Sequence, residues 1–168
     1  MKRIILDTNI YGEIIRKDDI NFVLENIRSA SIVIYGASPI RNELRDVPRK
    51  EVITTAGRKM KLRSLILSLY HSLAKRDLEV TQEIMGIARN YMGTYRTIGG
   101  MTSEHKLMND FLIVALAARH NLDIIYSQDR ETMVSDTARK TYEIVNNILK
   151  LRTPVFKSYG DFKNDIRK

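Results

Sequence analysis

Four carboxylates in this chain stand where their chemistry could matter. Asp7 follows the apolar run Ile4-Ile5-Leu6 and opens the triplet Asp7-Thr8-Asn9. All three residue types cap helices, so the triplet is explained by a strand-to-helix turn alone. The same place is also the carboxyl end of a strand, where open α/β sheets set their active sites. For Asp7 alone both readings stay open. Asp129 has similar surroundings, two residues after Ser127, just past the run DIIY, and it too could cap the following helix. Asp110 differs. It lies in SEHKLMNDFLIVALAARH, where residues 111–118 are apolar all round and predict a buried helix. Asp110 shares the face of Val114 and Ala117. Ser103 is the residue placed to cap that helix, so capping does not account for Asp110. An inward carboxylate is costly unless paired or coordinated, and an ion pair with Lys or Arg is the competing explanation. Glu43 lies one turn inside a short helix after the second strand and, taken alone, reads as a solvated acid.

The four acids come from separate segments, all expected near one edge of a sheet. At ~5 Å and an effective dielectric of ~20, each pair would repel by on the order of 3 kcal/mol. Such a cluster calls for cations. With no cysteine, and with His71, His105 and His120 scattered, the ligand set is all oxygen and selects a hard divalent ion, Mg²⁺ or Mn²⁺. A metal in an acidic cleft points to phosphodiester hydrolysis by an activated water. Two other classes compete. An aspartyl phosphotransferase also carries an Asp after its first strand, but generally needs an acid two residues on, and Asn9 supplies no proton there. A non-catalytic RNA-binding module would be expected to lose acids, and all four positions are filled.

The elements that must position these residues alternate. Strands are predicted over 3–6, 31–35, 78–80 and 123–126, with an edge strand near 154–156. Helices are predicted over 7–17, from an Asp18 or Asp19 cap to about 29, over 39–46 behind Ser38-Pro39, from Thr81 through about 92, from Ser103 to about 120, and from about 132 to 151 with a restart at Ser135-Asp136. Residues 49–77 read as helical, and 93–102, with three glycines, as a loop. Strands alternating with helices predict right-handed crossovers and a parallel sheet covered on both faces.

Composition bounds the rest. The chain has 168 residues, 43% hydrophobic and 29% charged, as expected of one soluble globular domain spanning 1–168. The absence of cysteine excludes disulfides and thiolate chemistry and suits a reducing cytoplasm. No apolar run is long enough to span a bilayer, and Asp7 interrupts the only signal-like start, so a cytoplasmic protein is expected. Lys and Arg number 28 against 20 Asp and Glu, a net charge of +8 that favours polyanions, chiefly nucleic acid. The segment 49–63 concentrates that charge. Lys59, Lys61 and Arg63 are the expected substrate-binding cations within it, with a solvated helix face or a dimer contact as the alternative. Tyr11 and Tyr95 could stack a base.

Taken in order, IILDTN, SPIRNEL, MNDFLIVALAARHNL and DIIYSQDRE resemble the PIN domain, the nuclease fold of the VapC toxins. The resemblance covers most of the chain. It implies a three-layer α/β/α fold with a central parallel sheet of four to five strands, and a Mg²⁺- or Mn²⁺-dependent endoribonuclease. By position, Asp7, Glu43, Asp110 and Asp129 match the family's catalytic and metal-binding acids. Asn9 and Ser127 match supporting polar positions that hold carboxylates or water. Glu131 is left open as a fifth acid. The resemblance also implies a homodimer, RNA as substrate and, for a toxin, an antitoxin protein as partner. Stand-alone PIN proteins act in RNA processing instead. The departure from the pattern is the basic segment at about 49–77, expected as a helical insertion where small VapC toxins have a shorter connection.

Overall fold

The computed structural model describes residues 1–55 and 57–167. The strands are β1 (Lys2–Leu6), β2 (Ile32–Ala37), β3 (Val52–Thr55), β4 (Arg58–Lys61), β5 (Asp77–Leu78), β6 (Ile124–Tyr126) and β7 (Val155–Lys157). The helices are α1 (Thr8–Arg16), α2 (Ile20–Ile27), α3 (Ser38–Asp46), α4 (Leu62–Leu73), α5 (Gln82–Thr97), α6 (Glu104–Arg119), α7 (Asp136–Leu149) and α8 (Tyr159–Ile166). Five strands form one sheet in the order β5-β2-β1-β6-β7, and every pair in it is parallel. From β1 the chain steps outward to β2 and β5, then crosses back to β6 and β7. With right-handed crossovers, α1–α4 cover one face and α5–α7 the other, which is the three-layer architecture the sequence predicts. The step reverses between β1 and β6, so these two strands flank the topological switch point.

Central position explains composition. Ile4, Ile5 and Leu6 of β1 are fully buried, because a parallel strand with helices on both faces alternates no polar side. In α6, residues 111–118 are buried throughout, as their unbroken apolarity requires. At the sheet edge Gly36 lets β5 close in. A Cβ there would overlap the Asp77 carboxylate and the Tyr70 hydroxyl. The Tyr70 hydroxyl donates to Asp77 Oδ1 (2.6 Å), and Arg41 of α3 pairs with Asp77 and Glu79.

Three segments differ from the sequence reading. The helix expected over 49–77 exists only from Leu62 to Leu73. Before it, β3 and β4 form an antiparallel hairpin with Val52 opposite Lys61 and Thr55 opposite Arg58. Val52-Ile53-Thr54-Thr55 is a run of four β-branched residues, which favours a strand, and Gly57 takes φ +74 in the turn. Second, α5 runs through Gly93 to Thr97 because Tyr91, Met92 and Tyr95 are buried along it, and packing outweighs one glycine. It stops at Gly99, with φ +93. Third, α8 follows β7 behind a capping box in which the Ser158 hydroxyl and the Asp161 carboxylate reciprocally serve backbone N–H groups. Among the described residues no helix is long and apolar enough to cross a membrane.

Candidate functional site

The end of β1 and the end of β6 are bonded side by side, with the Asp7 N–H donating to the Tyr126 carbonyl (2.9 Å). The polar residues that follow each strand therefore meet. Asp7 is the N-cap of α1, and its Oδ1 accepts from the Thr8 N–H at 2.7 Å. The capping role is real, but it uses one oxygen. The other, Oδ2, accepts from the Ser127 hydroxyl (2.7 Å) and from Asn9 Nδ2 (2.5 Å). Asn9 Oδ1 in turn accepts from the Gln128 N–H (3.0 Å), so this side chain ties the loop after β6 to the start of α1. The Ser127 hydroxyl accepts from the Asp129 N–H (3.0 Å) while donating to Asp7.

Asp129 resembles a local cap as well. Its Oδ1 accepts from the N–H groups of Glu131 (3.0 Å) and Thr132 (2.9 Å), which fixes the turn leading toward α7. Its Oδ2 faces the Thr132 hydroxyl, which also reaches Asp110 Oδ2 at 2.6 Å. Glu43, on the second turn of α3, is exposed and accepts from the Thr8 hydroxyl (3.0 Å). Glu43, Thr8, Asp7, Ser127, Asp129, Thr132 and Asp110 thus form one continuous chain of polar contacts across four segments.

The electrostatics follow from burial. Asp7 is 5% exposed. Burial pushes its pKa up to about 6 against the lowering effect of the Ser127 and Thr8 hydrogen bonds, and the charges of Glu43 and Asp129 add to the rise. Burial likewise raises Asp110 to about 7, opposed by the Thr132 hydroxyl and reinforced by Asp7, Asp129 and Glu43. Among the described residues, no ion pair joins Asp7, Glu43, Asp110 or Asp129 to Lys or Arg. The ion pair weighed for Asp110 is therefore absent from these residues.

Among the described residues no three His, Cys, Asp or Glu side chains stand together as a ready metal cage. The carboxylates are held by hydroxyl, amide and backbone donors instead. The donor set is nevertheless all oxygen, anionic and without a protein cation, which fits a hard divalent ion. Asp7, Asp110 and Asp129 are the residues that could hold one, with Glu43 beside them.

Other expected residues fall elsewhere. Lys59 and Lys61 lie exposed on β4 and Arg63 on the first turn of α4, and none bonds to the acids. Their hairpin rests on the α1–α2 turn, where the Thr55 hydroxyl meets Asp18, ~15 Å of helix from Asp7. Tyr11 and Tyr95 are buried, at 0% and 4% exposure, and offer no face for a base. Glu131 is exposed, and its backbone N–H is what meets Asp129. Sequence reasoning missed Thr8, which joins Asp7 by its backbone N–H and Glu43 by its hydroxyl, and Thr132, whose hydroxyl meets both Asp110 and Asp129. Thr8 sat inside the Asp-Thr-Asn triplet; Thr132 carried no signal beyond its place three residues after Asp129.

Similar proteins agree with this architecture. The sequence model of the PIN domain matches residues 4–140. No curated protein matches the chain. Among solved structures, that of VapBC2 from Rickettsia felis bound to a DNA fragment from their promoter aligns with a TM-score of 0.56 at 12% identity, covering 93% of this chain and 98% of that one. The structure of FitAB bound to IR36 DNA fragment aligns with a TM-score of 0.56 at 15% identity, covering 93% of this chain and 94% of that one. At such identities the likeness is one of fold. A family match over most of the sequence, a parallel sheet with its switch point between β1 and β6, and an acid after each of those strands agree: this chain belongs to the PIN domain family.

Proposed function

We propose that this protein is a cytoplasmic, Mg²⁺- or Mn²⁺-dependent endoribonuclease and the toxin of a toxin–antitoxin pair. The observation that carries the reading is the convergence of buried Asp7 and half-buried Asp110, joined through Ser127, Asp129 and Thr132 beside the switch point. Both have pKa values raised to about 6 and about 7, and no protein cation neutralises them. Desolvated acids at such a place, with no protein cation beside them, are what a cation-dependent hydrolase requires. The VapBC and FitAB neighbours support an antitoxin partner, and the basic chain supports RNA as substrate. A homodimer is part of the same reading.

In this mechanism Asp7, Asp110 and Asp129 would hold the metal, and Glu43 would hold a second ion or orient the attacking water. When bound, the metal lowers the pKa of water and offsets charge on the scissile phosphate. Asn9 and Ser127 keep the Asp7 carboxylate fixed through Oδ2. An in-line attack would leave a 5′-phosphate and a 3′-hydroxyl.

The test is RNA cleavage with Mg²⁺ or Mn²⁺ by wild type and by Asp7→Asn and Asp110→Asn. Cleavage should disappear in both variants, with an unchanged far-UV spectrum. Near-wild-type cleavage by either would remove that residue from the mechanism.

A further inference from the structure

The hairpin is the part of this molecule that its core explains least. Among the described residues, Arg49, Lys50, Arg58, Lys59, Lys61 and Arg63 form no ion pair. Only Glu51 opposes them in sequence, so residues 49–63 carry a net +5 of the chain's +8. Six crowded like charges destabilise their own element, and an isolated two-stranded hairpin is marginal to begin with.

The pleat sorts these residues. Val52 opposite Lys61 and Thr54 opposite Lys59 share one face; Ile53 opposite Met60 and Thr55 opposite Arg58 share the other. The second face is the docked one. Ile53 and Thr55 are half-buried, and Thr55, Arg58 and Met60 line a groove with Asp18, Ile20 and Leu65. The first face is exposed at all four positions, with Val52 55% exposed. Lys59 and Lys61 stand ~6.8 Å apart along it, comparable to neighbouring phosphates of an extended single strand. At the end of this face a recess of about 230 Å³ is lined by Arg49, Lys61, Arg63, Ser64 and Leu67. It presents three cations and a hydroxyl, and no carboxylate.

We propose that the outward face of the β3–β4 hairpin, together with the Arg49–Lys61–Arg63–Ser64 recess, binds the phosphate backbone of single-stranded RNA. The site is separate from the acids. It rests on the nuclease reading only in naming RNA as the polyanion. The bases would face away from it, so binding is indifferent to sequence and strongly salt-dependent.

Binding of a fluorescent single-stranded RNA is measured by anisotropy in EDTA, where cleavage is silent, over a range of salt. Wild type is compared with Lys59→Ala/Lys61→Ala/Arg63→Ala. A second triple, Arg89→Ala/Lys140→Ala/Lys75→Ala, removes the same charge elsewhere. The hairpin triple should weaken binding roughly tenfold and lower the slope of log affinity against log salt by about 2. The second triple should leave both near wild type. If alanine loosens the hairpin, glutamine at the same three positions keeps the side-chain stems and should give the same loss. Equal losses in the two triples would overturn the proposal in favour of overall charge. Wild-type binding by the hairpin triple would overturn it too. Tighter binding of duplex than of single strands would refute the backbone spacing argument. Loss of cleavage with intact RNA binding, as expected of Asp110→Asn, separates the failure of this site from the failure of the acids.

Discussion

One hydroxyl stands between two carboxylates. Thr132 has a single proton to give and meets both Asp110 and Asp129. Thr132→Val keeps the shape and removes that donor. In EDTA it should destabilise the protein by about 1–3 kcal/mol, while Thr132→Ser should stay close to wild type, as read from urea unfolding. The raised acids make a separate prediction about pH. The unfolded chain gives up its aspartate protons near 3.8, but the folded protein keeps them to about 6 at Asp7 and about 7 at Asp110. Between those values the folded state binds more protons, so metal-free stability falls as pH rises through that window. Asp110→Asn should flatten this fall, whereas Mn²⁺ at one hundred times its Kd should stabilise wild type by about 2.7 kcal/mol and the variant much less. Melts at pH 4.5 and 7.5 with EDTA and with Mn²⁺ decide it. A variant as pH-sensitive as wild type would count against the burial argument. The acids themselves were readable from strand ends and from an apolar helix. The hydroxyls that join them were not, because a threonine's partner depends on which segments the fold brings near.

At the scale of elements, the fit of β5 against β2 depends on an absent side chain. Gly36→Ala would push a methyl group into Asp77 and Tyr70, whose hydrogen bond also anchors Arg41. It should destabilise by about 1–3 kcal/mol, and the α3 residues, Glu43 included, should lose hydrogen-exchange protection ahead of β1. Unchanged protection in α3 would show that the edge adjusts independently. The parallel sheet was legible because its central strands are short, apolar and β-branched, and each is followed by a helix with a cap or a proline. The hairpin was not. Its lysines and arginines suit a helix surface as well as a strand, and the branched run of Val52 to Thr55 was outweighed by them. Gly93 likewise suggested a loop in what became the continuation of α5, where buried tyrosines decide.

At the scale of the molecule, α8 shows how the last element holds the first layer. Tyr159, Phe162 and Ile166 are buried, and Lys163 and the Tyr159 hydroxyl both reach Asp19 at the start of α2 (2.8 and 2.7 Å). Deleting residues from Tyr159 onward should cost about 5 kcal/mol, a large share of a typical domain's stability. Chemical denaturation would register this as an early midpoint. Retention of the full midpoint would make α8 an appendage.

The pairing of β1 with β6 has a consequence in time. Ser127 and Asp7 are separated by 120 positions in sequence, yet share a hydrogen bond at the centre of the site. Ribosomes add roughly 5–20 residues per second, so that separation takes on the order of ten seconds to synthesise. Until the loop carrying Ser127, Asp129 and Thr132 has left the exit tunnel, β1 lacks its neighbour and Asp7 remains an ordinary helix cap. The hydrogen bond that fixes the Asp7 carboxylate therefore forms on a growing chain only after this loop has emerged, well after β1 and α1 have left the ribosome.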